Sequence, residues 1–332
     1  MVGLLVHVNN VDKIGTFSER IDGVLSALFL KYATLRSTEL PTRKPFVYLT
    51  ETEQCLPPYL ASSSHIGDPQ TCNCDVIVLS YSAKCQENNQ SHVSYLFDPS
   101  TLFASGRNVL FFAAMDRRPG YHYYIFLNDD TVLRYNKFTP ADMKKLPPFR
   151  AVENWLLDYE PVVGVLDYKG HHGANFLFKL RKQLCGINET SLVFPTVFYD
   201  ALFNAYHHKA IEHILPYPTQ YERGCLVCCN RQAMIAIEIK FGGQALLFAP
   251  VTGGNPLHRW GDNRRIMMRA REREFVEYIR REAPAKLRSH AIFEQLKLTS
   301  VTRYLSERSR SYCANVTRQQ PIIPYKHLLS DF

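Results

Sequence analysis

Four short apolar runs recur through the middle of the chain: Asp75-Val-Ile-Val-Leu-Ser-Tyr81, Tyr123-Tyr-Ile-Phe-Leu127, Pro161-Val-Val-Gly-Val-Leu166 and Ala245-Leu-Leu-Phe-Ala-Pro-Val251. None alternates with polar residues, so each reads as a strand covered on both faces rather than one facing water. Val93 to Phe97 offers another. Segments with helix signals lie between them. Ser105 can cap a helix from Arg107 to Arg117, which Pro119-Gly120 ends, and Thr139-Pro140 starts a short one. Phe149 to Tyr159 is a third, Asp200 to Leu215 a fourth that stops at Pro216, and a last one ends near Gly242-Gly243. Strands alternating with helices predict an α/β fold with a mostly parallel sheet flanked by helices. Ligands in such sheets bind beyond the carboxyl ends of the strands.

The same pattern divides the chain. Residues 1–70 are expected to be irregular, with an apolar helix candidate from Ile21 to Leu35 and a Pro- and Ser-rich loop or linker from Leu56 to Gln70. Residues 71–262 form the α/β domain, and residues 263–332 a C-terminal extension, helical at first and irregular from about Cys313. A composition of 46% hydrophobic and 21% charged residues excludes a disordered chain. The net charge of +8 favours anionic partners such as nucleotides, phosphates or acidic glycans. The basic residues are spread out, so no nucleic-acid partner is expected. No segment reaches the roughly 20 apolar residues of a membrane helix, and no signal peptide begins at Met1, so a membrane anchor is not visible in this chain. Sequons at Asn89, Asn188 and Asn315 point to the secretory pathway or Golgi lumen, whereas a complete N-terminus would point to the cytoplasm. The nine cysteines suit either redox compartment.

The residues richest in chemistry follow the Tyr123 run, which ends abruptly in Asn128-Asp129-Asp130. Adjacent carboxylates after a buried strand are costly to keep charged unless a cation neutralises them, and a hard divalent ion does so through oxygen ligands. The same residues would also suit a solvated turn. Upstream, Gly106-Arg107-Asn108 opens a helix whose first backbone N–H groups could meet a phosphate, with Arg107 adding a fixed charge. In the helix read after Phe198, Asp200, Asn204 and His207 share one face, which would make Asp200 or His207 available as a base. His208-Lys-Ala-Ile-Glu-His213 imitates a metalloprotease helix, but its spacing matches no such motif. Cys225-x-x-Cys228-Cys229 lacks a second pair at zinc-finger spacing and reads as buried thiols or a disulfide.

Gly106-Arg107-Asn108, the apolar helix with Ala113-Ala114, and Tyr124-Ile-Phe-Leu-Asn-Asp-Asp130 together resemble the core of GT-A fold glycosyltransferases, best from Asp98 to Leu133. The resemblance implies a GT-A-like, Rossmann-type mixed sheet and an Mn²⁺ or Mg²⁺ ion held by Asp130, helped by Asp129. Asn128 stands where the family's metal motif begins with Asp; it can bond a ribose hydroxyl but carries no charge. Asp98 would contact base or ribose. Gly253-Gly254-Asn255-Pro256-Leu257-His258-Arg259 looks like the late element that supplies a further metal ligand, here His258, with Arg259 facing the diphosphate. Glu222 or Asp200 would be the catalytic base. The implied donor is a nucleotide sugar, UDP-sugar favoured, and the acceptor a hydroxyl on a glycan, protein or lipid. Two other readings share these residues: a non-catalytic GT-A-like domain that binds a glycan or nucleotide, motivated by Asn128, and a metal-dependent nucleotidyl- or phosphotransferase.

Overall fold

The computed structural model describes residues 44–86, 90–117, 121–168, 192–223, 228–256 and 272–283, with short pieces at 285, 288–289 and 292–294. Its strands are β1 (Phe46–Thr52), β2 (Cys74–Ser80), β3 (Val93–Phe97), β4 (Tyr123–Asn128), β5 (Val132–Tyr135), β6 (Val163–Tyr168), β7 (Val193–Pro195), β8 (Phe203–His207) and β9 (Ala245–Gly254). They form one sheet in the order β3-β2-β1-β4-β8-β6-β9-β5, with β7 also paired to β9. The four strands from β3 to β4 are mutually parallel, and β6 is parallel to β9. β8 runs antiparallel between β4 and β6, and β5 and β7 run antiparallel to β9. The sheet is therefore mixed and mostly parallel. The helices are α1 (Pro69–Cys72), α2 (Phe103–Arg117), α3 (Pro148–Tyr159), α4 (His208–Ile211), α5 (Cys228–Phe241) and α6 (Glu272–Glu282).

Strand parity explains why the apolar runs are continuous. Successive side chains point to opposite faces of a sheet. Val47, Leu49, Ile77, Leu79, Tyr124 and Phe126 pack with Leu110 and Phe111 of α2 and Ile237 of α5. Their neighbours Tyr48, Val76, Val78, Tyr123, Ile125 and Leu127 pack with Phe149, Val152 and Trp155 of α3. Both faces of the central strands are covered, and exposed strand positions fall on β3 and β5. On the α3 side Tyr48 Oη donates to Glu153 Oε1 at 2.6 Å, and Arg150 Nη1 lies 2.6 Å from Glu153 Oε2. Burial nonetheless pushes the Glu153 carboxyl up to about 8, outweighing the nearby guanidinium.

Four sequence expectations are corrected. The region to residue 70, expected to be irregular, contains β1, a central strand flanked by β2 and β4. Asp200 to Leu215 is not one helix. Phe203–His207 is strand β8, buried along its whole length between two neighbours, whereas a surface helix would expose every third or fourth residue. Asn204 and His207 thus fall on opposite parities, and the polar stripe dissolves; Asn204 Nδ2 instead donates to Asp200 O and Phe203 O at 2.8 Å each. α2 begins at Phe103 rather than Arg107, because Leu102 O already accepts from Gly106 N at 2.7 Å. Thr139 caps no helix; its hydroxyl donates to Pro250 O at 2.6 Å, and the short turn starts at Met143. In the C-terminal extension α6 is helical as expected. The Ile21–Leu35 helix candidate, the asparagines of the three sequons and the irregular end lie outside the described residues.

Candidate active site at the carboxyl ends of β1 and β4

From β1 the chain adds β2 and β3 on one side, then crosses back through α2 to place β4 on the other. That reversal of strand order opens a crevice beyond the carboxyl ends of β1 and β4, the usual ligand position in such sheets. β1 ends in Glu51-Thr52-Glu53, and β4 in Asn128-Asp129-Asp130. Glu51 and Asn128 are direct partners in the parallel ladder and so fall on the same face. Neither Glu51 nor Glu53 was singled out from the sequence. The available signal was parity: Glu51 continues the Val47–Leu49 series that packs on α2, where a carboxylate is anomalous.

Glu51 is accommodated by a glycine. A Cβ on Gly106, in the first turns of α2, would lie 2.6 Å from Glu51 Oε2. The residue keeps only a partly exposed edge. Burial pushes its carboxyl up to about 8, against the pull of Arg107 and with added repulsion from Glu222 and Asp129. At neutral pH Glu51 therefore holds a proton. Asp129 is raised to about 6, first by burial and next by the charge of Asp130, with Glu53 adding to it. The turn carrying this pair is tethered: Asn128 N donates to Leu202 O at 3.1 Å, Thr131 N to Asn128 O at 3.1 Å, and the buried Thr131 hydroxyl to Leu202 O at 3.3 Å.

Arg107 is 3% exposed. Its Nη2 donates to Ala201 O at 2.8 Å, and its guanidinium lies 4.2 Å from the Phe103 ring centre and 5.3 Å from that of Phe126. Its buried charge opposes the upward push on the Glu51 carboxyl. Asn108 also turns out to be structural: Nδ2 donates to Tyr217 O at 2.8 Å and Oδ1 accepts from Tyr217 N at 2.7 Å. The N–H groups of 106–108 lie inside α2, so the expected phosphate seat is not at these residues. At the true start of α2, Glu222 Oε2 accepts from Ser105 N at 2.8 Å, so a carboxylate of this chain occupies one of the end donors. Asp200 Oδ1 accepts from Leu202 N at 2.8 Å, and Asp200 and Asp130 both raise the Tyr168 phenol after burial. Asp200 thus shares surroundings with the Asp129–Asp130 turn. Asp98, at the end of edge strand β3, is three strand steps from β4, about 14 Å. Its Oδ1 accepts from Ser100 N at 2.9 Å and Ser100 Oγ at 2.6 Å.

Among the described residues, Asp129 and Asp130 join no trio of His, Cys or carboxylate ligand atoms lying within 4.8 Å of one another. His258 and Arg259 lie outside the described residues. The strand that leads to them does not: β9 ends with Gly254 paired to Val132, two residues beyond Asp130. The site therefore gathers Glu51, Glu53, Asn128, Asp129, Asp130, Asp200 and Glu222 around one crevice and leaves Asp98 at the sheet edge. No family model matches the chain, and no curated protein matches it significantly.

Proposed function

We propose that the chain is a metal-dependent glycosyltransferase of the GT-A type, transferring a sugar from a nucleotide-sugar donor, UDP-sugar favoured, to a hydroxyl of a glycan or glycoconjugate. The observation that carries this reading is the crowd of carboxylates at the crossover of β1 and β4, in a chain whose net charge is +8. Like charges pressed together with partial burial, as at Asp129 and Asp130, are relieved by a divalent cation. The two carboxylates supply oxygen donors, which fits Mg²⁺ or Mn²⁺; Mg²⁺ is commonly held by one or two carboxylates together with substrate phosphates, so a closed protein cage is not needed. Asp129 and Asp130 would hold the ion, with His258 as the candidate third ligand. When bound, the ion would stabilise charge on the departing diphosphate.

The other groups have distinct work. Asn128 offers an amide to a ribose hydroxyl. Glu51, whose carboxyl burial pushes up, can donate a hydrogen bond to the donor nucleotide in its protonated form, where an ionised carboxylate would repel it. Asp200, on the Asp130 side, and Glu222, on the Glu51 side, are the two carboxylates able to take the acceptor proton. The disulfides Cys55–Cys85 and Cys72–Cys74 support an oxidising, secretory location.

Thermal melting with UDP, GDP, CMP and their sugars, each with Mn²⁺ or with EDTA, tests the reading. One nucleotide class should raise the melting point only with metal. Asp130→Asn should abolish that shift while the unliganded melting point stays within a few degrees. Sugar transfer, or slow hydrolysis of the donor, separates a working enzyme from a binding domain, and product mass separates sugar transfer from nucleotidyl transfer. No metal-dependent shift with any nucleotide overturns the assignment.

A further inference from the structure

The amino end of β4 carries a second cluster. His122 immediately precedes β4, and its ladder neighbour Tyr123 pairs with His207 at the end of β8. His207 is the N-cap of α4, so the chain turns there from strand to helix and His208 swings toward the same place instead of alternating away. His208 N donates to His122 O at 3.0 Å, which fixes the approach. The ligand atoms of the three imidazoles all lie within 4.8 Å of one another, and the ring centres are 4.2–5.5 Å apart. His207 is 2% exposed, while His122 retains 21% of its side-chain surface.

A carboxylate adjoins one member of the group. Glu160 Oε1 lies 3.2 Å from His122 Nε2. Glu160 ends α3 in the left-handed region at φ 44, ψ 49, where glycine or asparagine is the ordinary choice and a longer side chain costs about 1–2 kcal/mol. A strained residue whose carboxylate meets one of three clustered histidines points to a use for that side chain.

We infer that His122, His207, His208 and Glu160 form a binding site for an imidazole-preferring divalent metal, of which Zn²⁺ is the type. Three neutral imidazoles and one carboxylate match the nitrogen and oxygen donors and the fourfold coordination of this ion. Zinc–nitrogen bonds of about 2.0–2.1 Å require ligand nitrogens about 3.4 Å apart. His122 and His208 are half-buried and Glu160 is exposed, so side-chain rotation is open to all three in closing the remaining gap. His207 Nδ1 accepts from Lys209 N at 3.2 Å, so coordination either replaces that cap or moves the ring proton to Nδ1. Four protein ligands leave no open position, which makes the site a clamp rather than a reaction centre. It ties the end of α3, the start of β4 and the β8–α4 junction together. β4 has six residues, which separates this site from the Asp129–Asp130 turn by about 20 Å. His213, the other half of the apparent metalloprotease spacing, takes no part: it lies 2.8 Å from Lys240 Nζ, and burial with that lysine lowers its imidazole to about 4.

The full chain, stripped with EDTA, is titrated with Zn²⁺ by calorimetry and with Co²⁺ by absorption. One Co²⁺ per chain should show intense tetrahedral d–d bands without sulfur-to-metal charge transfer, apart from any ion that the Asp129–Asp130 turn takes up. The absence of charge transfer separates this site from the cysteines. His122→Gln and His208→Gln should each weaken binding at least about tenfold, since loss even of a ligand's supporting partner costs 10–100-fold. Asp130→Asn should leave the tetrahedral Co²⁺ bands unchanged, so failure here is distinct from failure of the nucleotide reading. Wild-type protein lacking those bands, or a His122→Gln/His208→Gln double variant with undiminished Zn²⁺ affinity, overturns the inference. If the variants do not fold, the wild-type Co²⁺ spectrum still decides.

Discussion

Replacing Glu51 by glutamine should make the protein more stable at pH 8 and leave it nearly unchanged at pH 5. The folded carboxyl sits at about 8, against 4.5 for an ordinary glutamate. The folded state therefore binds the extra proton more tightly than the unfolded chain between these values. Stability contributed by the protonated group is complete below the unfolded value and is lost as pH rises through the folded one. At 1.36 kcal/mol per unit, ionisation of Glu51 removes about 3–4 kcal/mol between pH 5 and pH 8. Glutamine keeps the shape and the neutral state and has nothing to lose. Urea unfolding of wild type and Glu51→Gln at intervals across that range measures the difference, and taking the difference cancels Glu153, which titrates in the same window. Parallel stability curves for the two proteins would refute the placement of Glu51 against α2 in a water-poor pocket. A stabilised variant that also loses nucleotide-dependent stabilisation would show a site kept at the expense of the fold.

Gly106→Ala should cost about 1–3 kcal/mol because the added Cβ would meet Glu51 Oε2 at 2.6 Å and displace that side chain, and should weaken the Mn²⁺-dependent nucleotide shift in the same melting experiment. Arg150→Met strands Glu153 without its cation; urea unfolding should show a loss of about 3 kcal/mol above pH 8 and a smaller one at pH 6, where Glu153 carries a proton. Removing the Cys55–Cys85 disulfide, whose cysteines are 30 residues apart, with a double serine variant should lower stability by about 3–4 kcal/mol through the freed unfolded chain, measured by the same unfolding curves.

Much of the sheet was legible because local pattern and burial agree. The runs at Asp75, Val93, Tyr123, Pro161 and Ala245 became β2, β3, β4, β6 and β9, since a strand covered on both faces must be apolar at both parities. The α3 helix and the end of α5 before Gly242 were legible for the same kind of reason, a pattern with a stop signal. The carboxylate pair after β4 was legible as an anomaly, charge where the strand pattern demands burial. What local pattern could not supply was partnership. Phe203-Asn-Ala-Tyr-His207 carries apolar spacing that suits either periodicity, and only insertion between β4 and β6 makes it a strand. Glu51 looked like part of an irregular leader until β1 took its place beside β4 and carried that carboxylate to Asn128. The histidines at 122, 207 and 208 meet for the same reason. Periodicity along a chain reports which side of an element is buried, whereas a site is made of side chains far apart in sequence, and only strand order and register decide which of them share one end of the sheet.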